Sequence, residues 1–190
     1  FPDVKIQQTY GLIEVGVMRS KSKTRDSLWV KLGGEGYETR IRNGILEIKA
    51  DSTMLGYLNA PSPFTNDGWF NTGDKVLVDG EYYKILGRNS EIINVGGEKV
   101  YPTEIEAVIH QMNEVLEVTV YGTPNPILGN IVCAKIRLID NQDSNIFKIK
   151  LKEFCKSKLK KFMIPIKITF DDKQQYNYRF KKIKNLNNEL

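Results

Sequence analysis

Short runs of alternating apolar and polar residues, separated by glycine turns, occupy the chain from residue 28 to residue 87. In the first run Leu28, Val30 and Leu32 fall on one face, as expected for a half-buried strand. Five strands are predicted in this region, over residues 28–32, 38–42, 45–48, 76–78 and 82–86. Turns are expected at Gly33-Gly34, Asn43-Gly44 and Asp79-Gly80, because Asn-Gly and Asp-Gly tolerate the positive φ of type I′ turns. The pattern predicts a small antiparallel β unit.

After Gly87-Arg88 the pattern changes to strands that alternate with helices. A ribbon with a Gly96-Gly97 turn leads to Pro102, which suits the first turn of a helix. Further strands are predicted over residues 118–121, 132–138 and 166–170. A second helix is predicted over 146–161, because its apolar residues recur mostly at three- and four-residue spacing: Phe147, Leu151, Phe154, Cys155, Leu159 and Phe162.

These elements predict an α+β protein, in which a small antiparallel β subdomain is followed by a compact α+β domain. The boundaries are expected at 1–27, 28–88 and 89–190. The first segment is interpreted as the remnant of a larger domain, because the chain begins abruptly at Phe1 and leads directly into patterned sequence. The last segment is expected to be a mobile domain.

Charge and cysteine content exclude few classes of function. The formal charge of +5 over 190 residues favours polyanionic partners without naming one. Cys133 and Cys155 show neither metal-ligand nor disulfide spacing, which favours reduced thiols and a cytoplasmic protein. No apolar run is long enough to suggest a membrane segment.

Three segments carry the candidate chemistry, and their order matters more than any one of them. The first is Tyr10-Gly11-Leu12-Ile13-Glu14, the second is Thr72-Gly73-Asp74, and the third extends from residue 87 to residue 106. In this order they resemble the signature of the AMP-forming, adenylate-forming superfamily, which includes acyl-CoA synthetases, firefly luciferase and the adenylation domains of peptide synthetases. The third segment is most similar to acyl- or aryl-CoA ligases.

The resemblance implies a nucleotide site in the first half of the chain. Tyr10 would lie on the adenine, Asp74 would accept hydrogen bonds from both ribose hydroxyls, and Arg88 would contact the ribose or a phosphate. Glu14 would help to hold Mg²⁺. These residue types suit the roles, since an aromatic face stacks on a base, a carboxylate accepts two donors, and Mg²⁺ prefers oxygen ligands beside phosphates.

The same resemblance assigns roles in the second half. Ser90 stands at the position of a hinge about which the small domain turns between two poses. Gly96 and Gly97 would line the tunnel for the pantetheine arm of CoA, where the lack of Cβ atoms permits close approach. Lys182 is the candidate catalytic lysine and Lys181 the second choice, because a mobile ammonium can reach both the carboxylate and the α-phosphate.

The implied function is that of an ATP-dependent ligase that forms an acyl-adenylate and then an acyl thioester. Its substrates would be a small carboxylic acid, ATP with Mg²⁺, and CoA. An acyl carrier protein is the alternative acceptor, as in amino-acid adenylation domains. The chain alone is expected to be inactive, because the family's phosphate loop and acyl pocket would lie upstream.

Two other functions stay open at this point. Ile13, Ser90 and Asn94 depart from the family's usual residues, and no glycine precedes Lys182, which keeps a noncatalytic relative as an alternative. Seven lysines and only Glu153 as an acid lie between residues 148 and 161, which keeps a basic nucleic-acid-binding module as another. The resemblance itself implies no nucleic-acid partner.

Overall fold

The computed structural model describes residues 9–24, 27–139, 143–171 and 175. The chain divides into two compact units, and the division falls between Ser90 and Glu91. Each unit has its own hydrophobic core. Neither α-helix found in the described ranges has the length and apolar character needed to cross a bilayer.

The first unit is an antiparallel sheet of seven strands. Its strands are β1 (Tyr10–Leu12), β2 (Gly16–Ser22), β3 (Trp29–Gly33), β4 (Tyr37–Arg42), β5 (Ile45–Ala50), β6 (Phe70–Asp79) and β7 (Tyr82–Arg88). They pair in the order β1-β2-β3-β7-β6-β5-β4. An isolated bridge between Gly34 and Tyr37 brings the start of β4 back to the end of β3. The sheet therefore curls around its core.

The sequence pattern located five of these strands, although it missed the extent of β6. The sheet also includes β1 and β2, so it runs across the boundary predicted after residue 27. The origin of residues 1–27 in a larger domain stays a prediction.

The hairpin turns differ in kind. Asn43 and Gly44 both have positive φ, of 54° and 73°, as the predicted type I′ turn requires. The prediction for Asp79-Gly80 is wrong, because Asp79 pairs with Tyr82 and the two loop residues are Gly80 and Glu81. Only Gly80 has positive φ, at 59°, which fits a type II′ turn with glycine at its first central position.

The core of the first unit lies against one face of the sheet. Fully or nearly fully buried residues come from β2, β3, β5, β6 and the turn before β2: Val15, Met18, Val30, Leu32, Leu46, Ile48, Phe70 and Val76. In β3 they alternate with exposed or half-buried residues, as the period of a half-buried strand requires.

The second unit combines a sheet with two helices. Its elements are β8 (Ile93–Val95), β9 (Glu98–Val100), α1 (Pro102–Ile109), β10 (Val115–Asn125), β11 (Gly129–Leu138), α2 (Ser144–Lys158) and β12 (Lys167–Phe170). The sheet order is β10-β11-β8-β9, with β12 parallel to β11. Ile105 and Ile109 of α1 join Phe147, Leu151 and Cys155 of α2 in one core.

Helix α2 begins earlier and ends earlier than predicted. The Asp143 carboxylate caps its start by accepting hydrogen bonds from the backbone N–H groups of Asn145 and Ile146, at 2.8 and 3.2 Å. The helix ends before Leu159, whose backbone is extended and whose side chain packs on the core. The α+β class is confirmed.

Candidate functional site

The loop of the Thr72-Gly73-Asp74 motif is a bulge in β6. Ile45 pairs with Lys75 and Glu47 pairs with Asn71, so three residues of β6 face Leu46 alone on β5. Gly73 has a φ of 72°, a left-handed conformation that favours glycine. Bulges re-aim side chains out of the ladder. Here the bulge sets the position from which Asp74 projects.

Thr72 fastens this bulge from within. Its buried hydroxyl donates to the Leu46 carbonyl at 2.7 Å and accepts from the Asp74 N–H at 3.0 Å. The side-chain amide oxygen of Asn71 accepts from the Gly73 N–H at 2.9 Å. Side-chain bonds therefore replace the ladder bonds that the bulge removes.

Asp74 forms the centre of a polar cluster with Tyr10 and Arg88. Arg88 lies directly opposite Asp74 in the β6–β7 register, and its Nε is 3.0 Å from Oδ1 of Asp74. The Tyr10 hydroxyl donates to Oδ2 of the same carboxylate at 2.5 Å. Asp74 is buried, whereas the Arg88 side chain is 53% exposed. The cluster thus offers a fixed carboxylate beneath an accessible cation.

Burial, together with the negative charge of Asp74, raises the pKa of the Tyr10 phenol well above its ordinary value. Tyr10 is therefore a permanent donor at neutral pH. Oδ2 of Asp74 accepts one hydrogen bond and Oδ1 is ion-paired with Arg88, so the carboxylate keeps lone pairs that can accept from a ligand.

Glu14 and Ile13 lie on the turn that follows β1. The Tyr57 hydroxyl donates to Oε1 of Glu14 at 2.6 Å, and this hydrogen bond raises the pKa of the Tyr57 phenol. The Met54 N–H donates to the Glu14 carbonyl at 2.8 Å. Ile13 is 93% exposed and so contributes almost nothing to the core. Glu14 is thus positioned by the loop that carries Tyr57.

Arg40 stabilises the loop before β6. Its Nε donates to the buried Glu47 carboxylate at 2.6 Å, its NH2 nitrogen donates to Asp67 at 3.0 Å, and its guanidinium lies 4.4 Å from the centre of the Trp69 ring. Hydrogen bonds from Arg40 and Thr65 lower the pKa of the Asp67 carboxyl. Asp67 and Trp69 are therefore structural residues of this loop.

The Gly96-Gly97 turn of the second unit joins β8 to β9. Both glycines have positive φ, 58° and 90°, as in a type I′ turn. The Gly96 N–H donates to the Leu128 carbonyl at 2.8 Å, and a Cβ placed on Gly97 would meet no atom within 4 Å. The backbone of Gly97 is therefore open to close approach.

Comparison with known proteins agrees with this geometry. Residues 104–176 match the family model of the AMP-binding enzyme C-terminal domain. Over 132 residues the chain is 37% identical to the medium-chain acyl-CoA ligase ACSF2, mitochondrial, of Homo sapiens. This alignment covers 67% of this chain and 21% of that protein. Over 177 residues it is 34% identical to 2-succinylbenzoate–CoA ligase of Listeria innocua. This second alignment covers 88% of this chain and 37% of the relative.

Solved structures extend the match to nearly the whole chain. ATP-bound MatB from Rhodopseudomonas palustris superposes with a TM-score of 0.73 at 29% identity, covering 90% of this chain and 37% of that one. MenE from Bacillus subtilis, in complex with the acyl-adenylate OSB-AMP, has a TM-score of 0.73 at 28% identity, covering 84% and 35%. The chain belongs to the adenylate-forming superfamily. It spans well under half the length of the relatives it matches.

The structure brings several of the predicted site residues together. Tyr10, Asp74 and Arg88 lie in one cluster, with Glu14 on the turn that follows the strand of Tyr10. Ser90 is exposed, lies in a short 3-10 turn over Asn89–Glu91, and is the last residue of the first unit. Lys181 and Lys182 lie outside the described residues.

Sequence reasoning did not identify two residues of this candidate site. Thr72 was known only as part of a motif, although its hydroxyl is what holds the bulge. Tyr57 was not connected with Glu14, which is 43 positions away in the chain. No local pattern could reveal the contact of Thr72 with Leu46 or that of Tyr57 with Glu14, since each joins residues far apart in the chain.

Proposed function

We propose that this chain is part of an ATP-dependent ligase that activates a carboxylic acid as an acyl-adenylate and transfers the acyl group to a thiol. The observation that carries the proposal is the Asp74 carboxylate of β6, held between Tyr10 of β1 and Arg88 of the adjacent strand β7. The names of the relatives, which are acyl-CoA and aryl-CoA ligases, support the same reaction class.

In this proposal the cluster binds the nucleoside of ATP. Asp74 accepts from the ribose hydroxyls through its remaining lone pairs, and the ring of Tyr10 lies against the adenine. Arg88, exposed beside Asp74, interacts with the ribose or a phosphate. Because Asp74 is already ordered by two partners, little conformational entropy is lost when the ribose binds.

The first step is attack of the substrate carboxylate on the α-phosphorus of ATP. An O–P bond forms to give the acyl-adenylate, and the bond to the bridging oxygen breaks to release pyrophosphate. In the second step a thiolate attacks the acyl carbon, and AMP leaves with the electron pair of the C–O bond. A carboxylate cannot undergo the second step directly, because it has no comparable leaving group.

Lys182 is proposed to stabilise negative charge in the first step, with Lys181 as the second candidate. ATP enters as its Mg²⁺ complex, and Glu14 is the proposed protein ligand. A single half-buried carboxylate fits this role, since Mg²⁺ in such sites is bound by one or two carboxylates together with substrate phosphates. Within the described ranges no cluster of three metal-binding side chains occurs.

CoA is the proposed acyl acceptor, with a carrier protein as the alternative. The open backbone of Gly97 and the type I′ turn support an approach by a narrow pantetheine arm. Both acceptors present the same arm, so the turn does not distinguish them. The distinction is made by measuring thioester formation by the full-length protein with CoA and with a carrier protein that bears a free pantetheine thiol.

The decisive experiment is ATP–pyrophosphate exchange by the full-length protein with a panel of carboxylic acids. Asp74→Asn should reduce exchange about ten- to hundredfold, mainly through the KM for ATP, because it weakens charge-assisted hydrogen bonds to the ribose. Asp79→Asn is the matched control, since Asp79 ends the same strand and pairs with Lys23 on the surface. Equal loss in both variants, or no exchange with any acid, would reject the proposal.

The cellular compartment is a separate matter. The cysteine pattern favours the cytoplasm, whereas the ACSF2 relatives carry the word mitochondrial in their names. We propose the cytoplasm, and fractionation of cells that express the tagged full-length protein tests it. The nucleic-acid-binding alternative receives no support from the relatives named above.

A further inference from the structure

A basic groove lies on the exposed surface of the first unit, where β2, β3 and β7 are adjacent. Its volume is about 490 Å³, and sites for small molecules range from roughly 300 to 1,000 Å³. The residues that define the basic groove are Arg19, Lys21, Lys31, Gly33, Glu81 and Tyr82. Three of these six residues are cationic and only one is anionic.

Glycine creates the depression. Gly33 pairs with Arg19 across the β2–β3 ladder, so a position that would carry a side chain beside Arg19 is empty. A Cβ placed on Gly33 would meet nothing within 4 Å. A ligand can therefore reach the sheet backbone between the cations.

Ion pairs among the described residues balance only part of the positive charge in the basic groove. Lys21 lies directly opposite Lys31, and like charges in directly opposed positions of antiparallel strands destabilise the sheet. Lys31 is paired with Glu81 at 2.6 Å. Arg19 and Lys21 have no ion-pair partner among residues 9–24, 27–139, 143–171 and 175.

We propose that the basic groove binds a small molecule that carries two or more phosphate groups. Arg19 and Lys21 donate to phosphate oxygens, and the bound anion removes the repulsion between Lys21 and Lys31. The Tyr82 ring forms a wall that can contact a base or another apolar part of the ligand.

This site is separate from the proposed adenylation site. Strand β7 extends from Tyr82, in the basic groove, to Arg88, beside Asp74. Six residue steps along an antiparallel strand correspond to about 20 Å. One polyphosphate group therefore cannot occupy both sites, and the inference does not depend on the adenylation reaction.

The test is calorimetric titration of the 190-residue chain with inorganic tripolyphosphate at low salt. The double variant Arg19→Glu/Lys21→Glu should weaken binding at least about tenfold, because it removes two charge-assisted contacts. It should remain folded, since a glutamate opposite Lys31 replaces repulsion with attraction. Arg42→Glu/Lys49→Glu, at exposed positions of β4 and β5, changes the net charge by the same amount and is the control.

A second variant should gain affinity. Glu81→Gln releases Lys31 from its ion pair, so tripolyphosphate should bind several-fold more tightly. Glu38→Gln, an exposed glutamate on β4, changes the net charge by the same amount and should have little effect. No binding to the parent chain, or equal effects of the groove and control variants, would overturn the inference.

The source of the phosphates is distinguished by comparing tripolyphosphate with ATP and CoA. If the ligand is a nucleotide, Tyr82→Leu should weaken binding of ATP or CoA and leave that of tripolyphosphate unchanged. If it is an inorganic polyphosphate, the variant should affect none of the three. The proposed location in the basic groove would be contradicted if Asp74→Asn abolished the binding of tripolyphosphate, ATP and CoA while Arg19→Glu/Lys21→Glu retained it.

Discussion

At the scale of single residues, the hydrogen bond from Tyr10 to Asp74 connects the edge strand β1 to the ion pair of Asp74 with Arg88. Residue 10 is separated from residue 74 by the whole of β2 to β5 in sequence, yet the two side chains are 2.5 Å apart. Burial raises the pKa of the Tyr10 phenol, and the adjacent carboxylate raises it further. The proton that Tyr10 donates is therefore held more firmly in the folded protein than in the unfolded chain.

This linkage predicts a specific pH dependence of stability. Because the pKa of Tyr10 is raised on folding, its contribution is constant below the ordinary tyrosine value of about 10 and decreases as the pH rises above it. The difference in unfolding free energy between the parent chain and Tyr10→Phe should be about 1 kcal/mol at pH 7. It should shrink between about pH 10 and 12. Urea denaturation of both proteins across this range measures it, and a difference that grows at high pH would contradict the linkage.

At the scale of elements, the bulge in β6 determines where Asp74 points. A regular strand would pair Thr72, Gly73 and Asp74 each with its own residue on β5. The structure instead places all three opposite Leu46 and satisfies the backbone through the Thr72 hydroxyl. The glycine permits the positive φ, and the threonine holds the resulting geometry.

Replacement of the Thr72 hydroxyl should therefore destabilise the first unit. Thr72→Val keeps the shape but leaves the buried Leu46 carbonyl and Asp74 N–H without this partner, at a cost of about 2 kcal/mol. Thr72→Ser keeps the hydroxyl and should recover most of the loss. Fluorescence of Trp29 and Trp69, both in the first unit, follows unfolding in urea. Equal stabilities of the valine and serine variants would argue against the role of the hydroxyl.

The bulge also shows what the sequence could and could not predict. Alternation identified β3, which buries Val30 and Leu32 on one face, and helical spacing identified the core residues of α2. Short runs between glycine-containing turns located β4, β5 and β7. The extent of β6 was missed, because two of its buried positions carry the polar residues Thr72 and Asp74 rather than apolar ones. Turn chemistry predicted Asn43-Gly44 correctly and misplaced the turn at Gly80, since only strand register shows which two residues form the loop. Contacts such as Tyr57 with Glu14 depend on the folded chain.

At the scale of the whole molecule, the two units have separate cores and separate probes. Both tryptophans belong to the first unit, and both cysteines, Cys133 and Cys155, are buried in the second. Burial raises the pKa of the Cys155 thiol to about 11, so its reactivity at neutral pH requires exposure of the core. Tryptophan fluorescence and thiol labelling can thus follow the two units independently in one chain.

The division between the units gives the last prediction, which concerns Ser90. This residue lies in a 3-10 turn, whose φ is close to the value that proline imposes. In the full-length protein, Ser90→Pro should fix the backbone in this conformation. If rotation at Ser90 moves the second unit between its two poses, the variant should slow one of the two half-reactions about tenfold or more relative to the other. Ser90→Ala, which removes the hydroxyl and leaves φ free, is the control. Pyrophosphate exchange measures the first half-reaction, and thioester formation from preformed acyl-adenylate measures the second. Equal slowing of both by Ser90→Pro would reject the hinge and leave the proposed role of Asp74 and Arg88 unaffected, because both residues lie within the first unit.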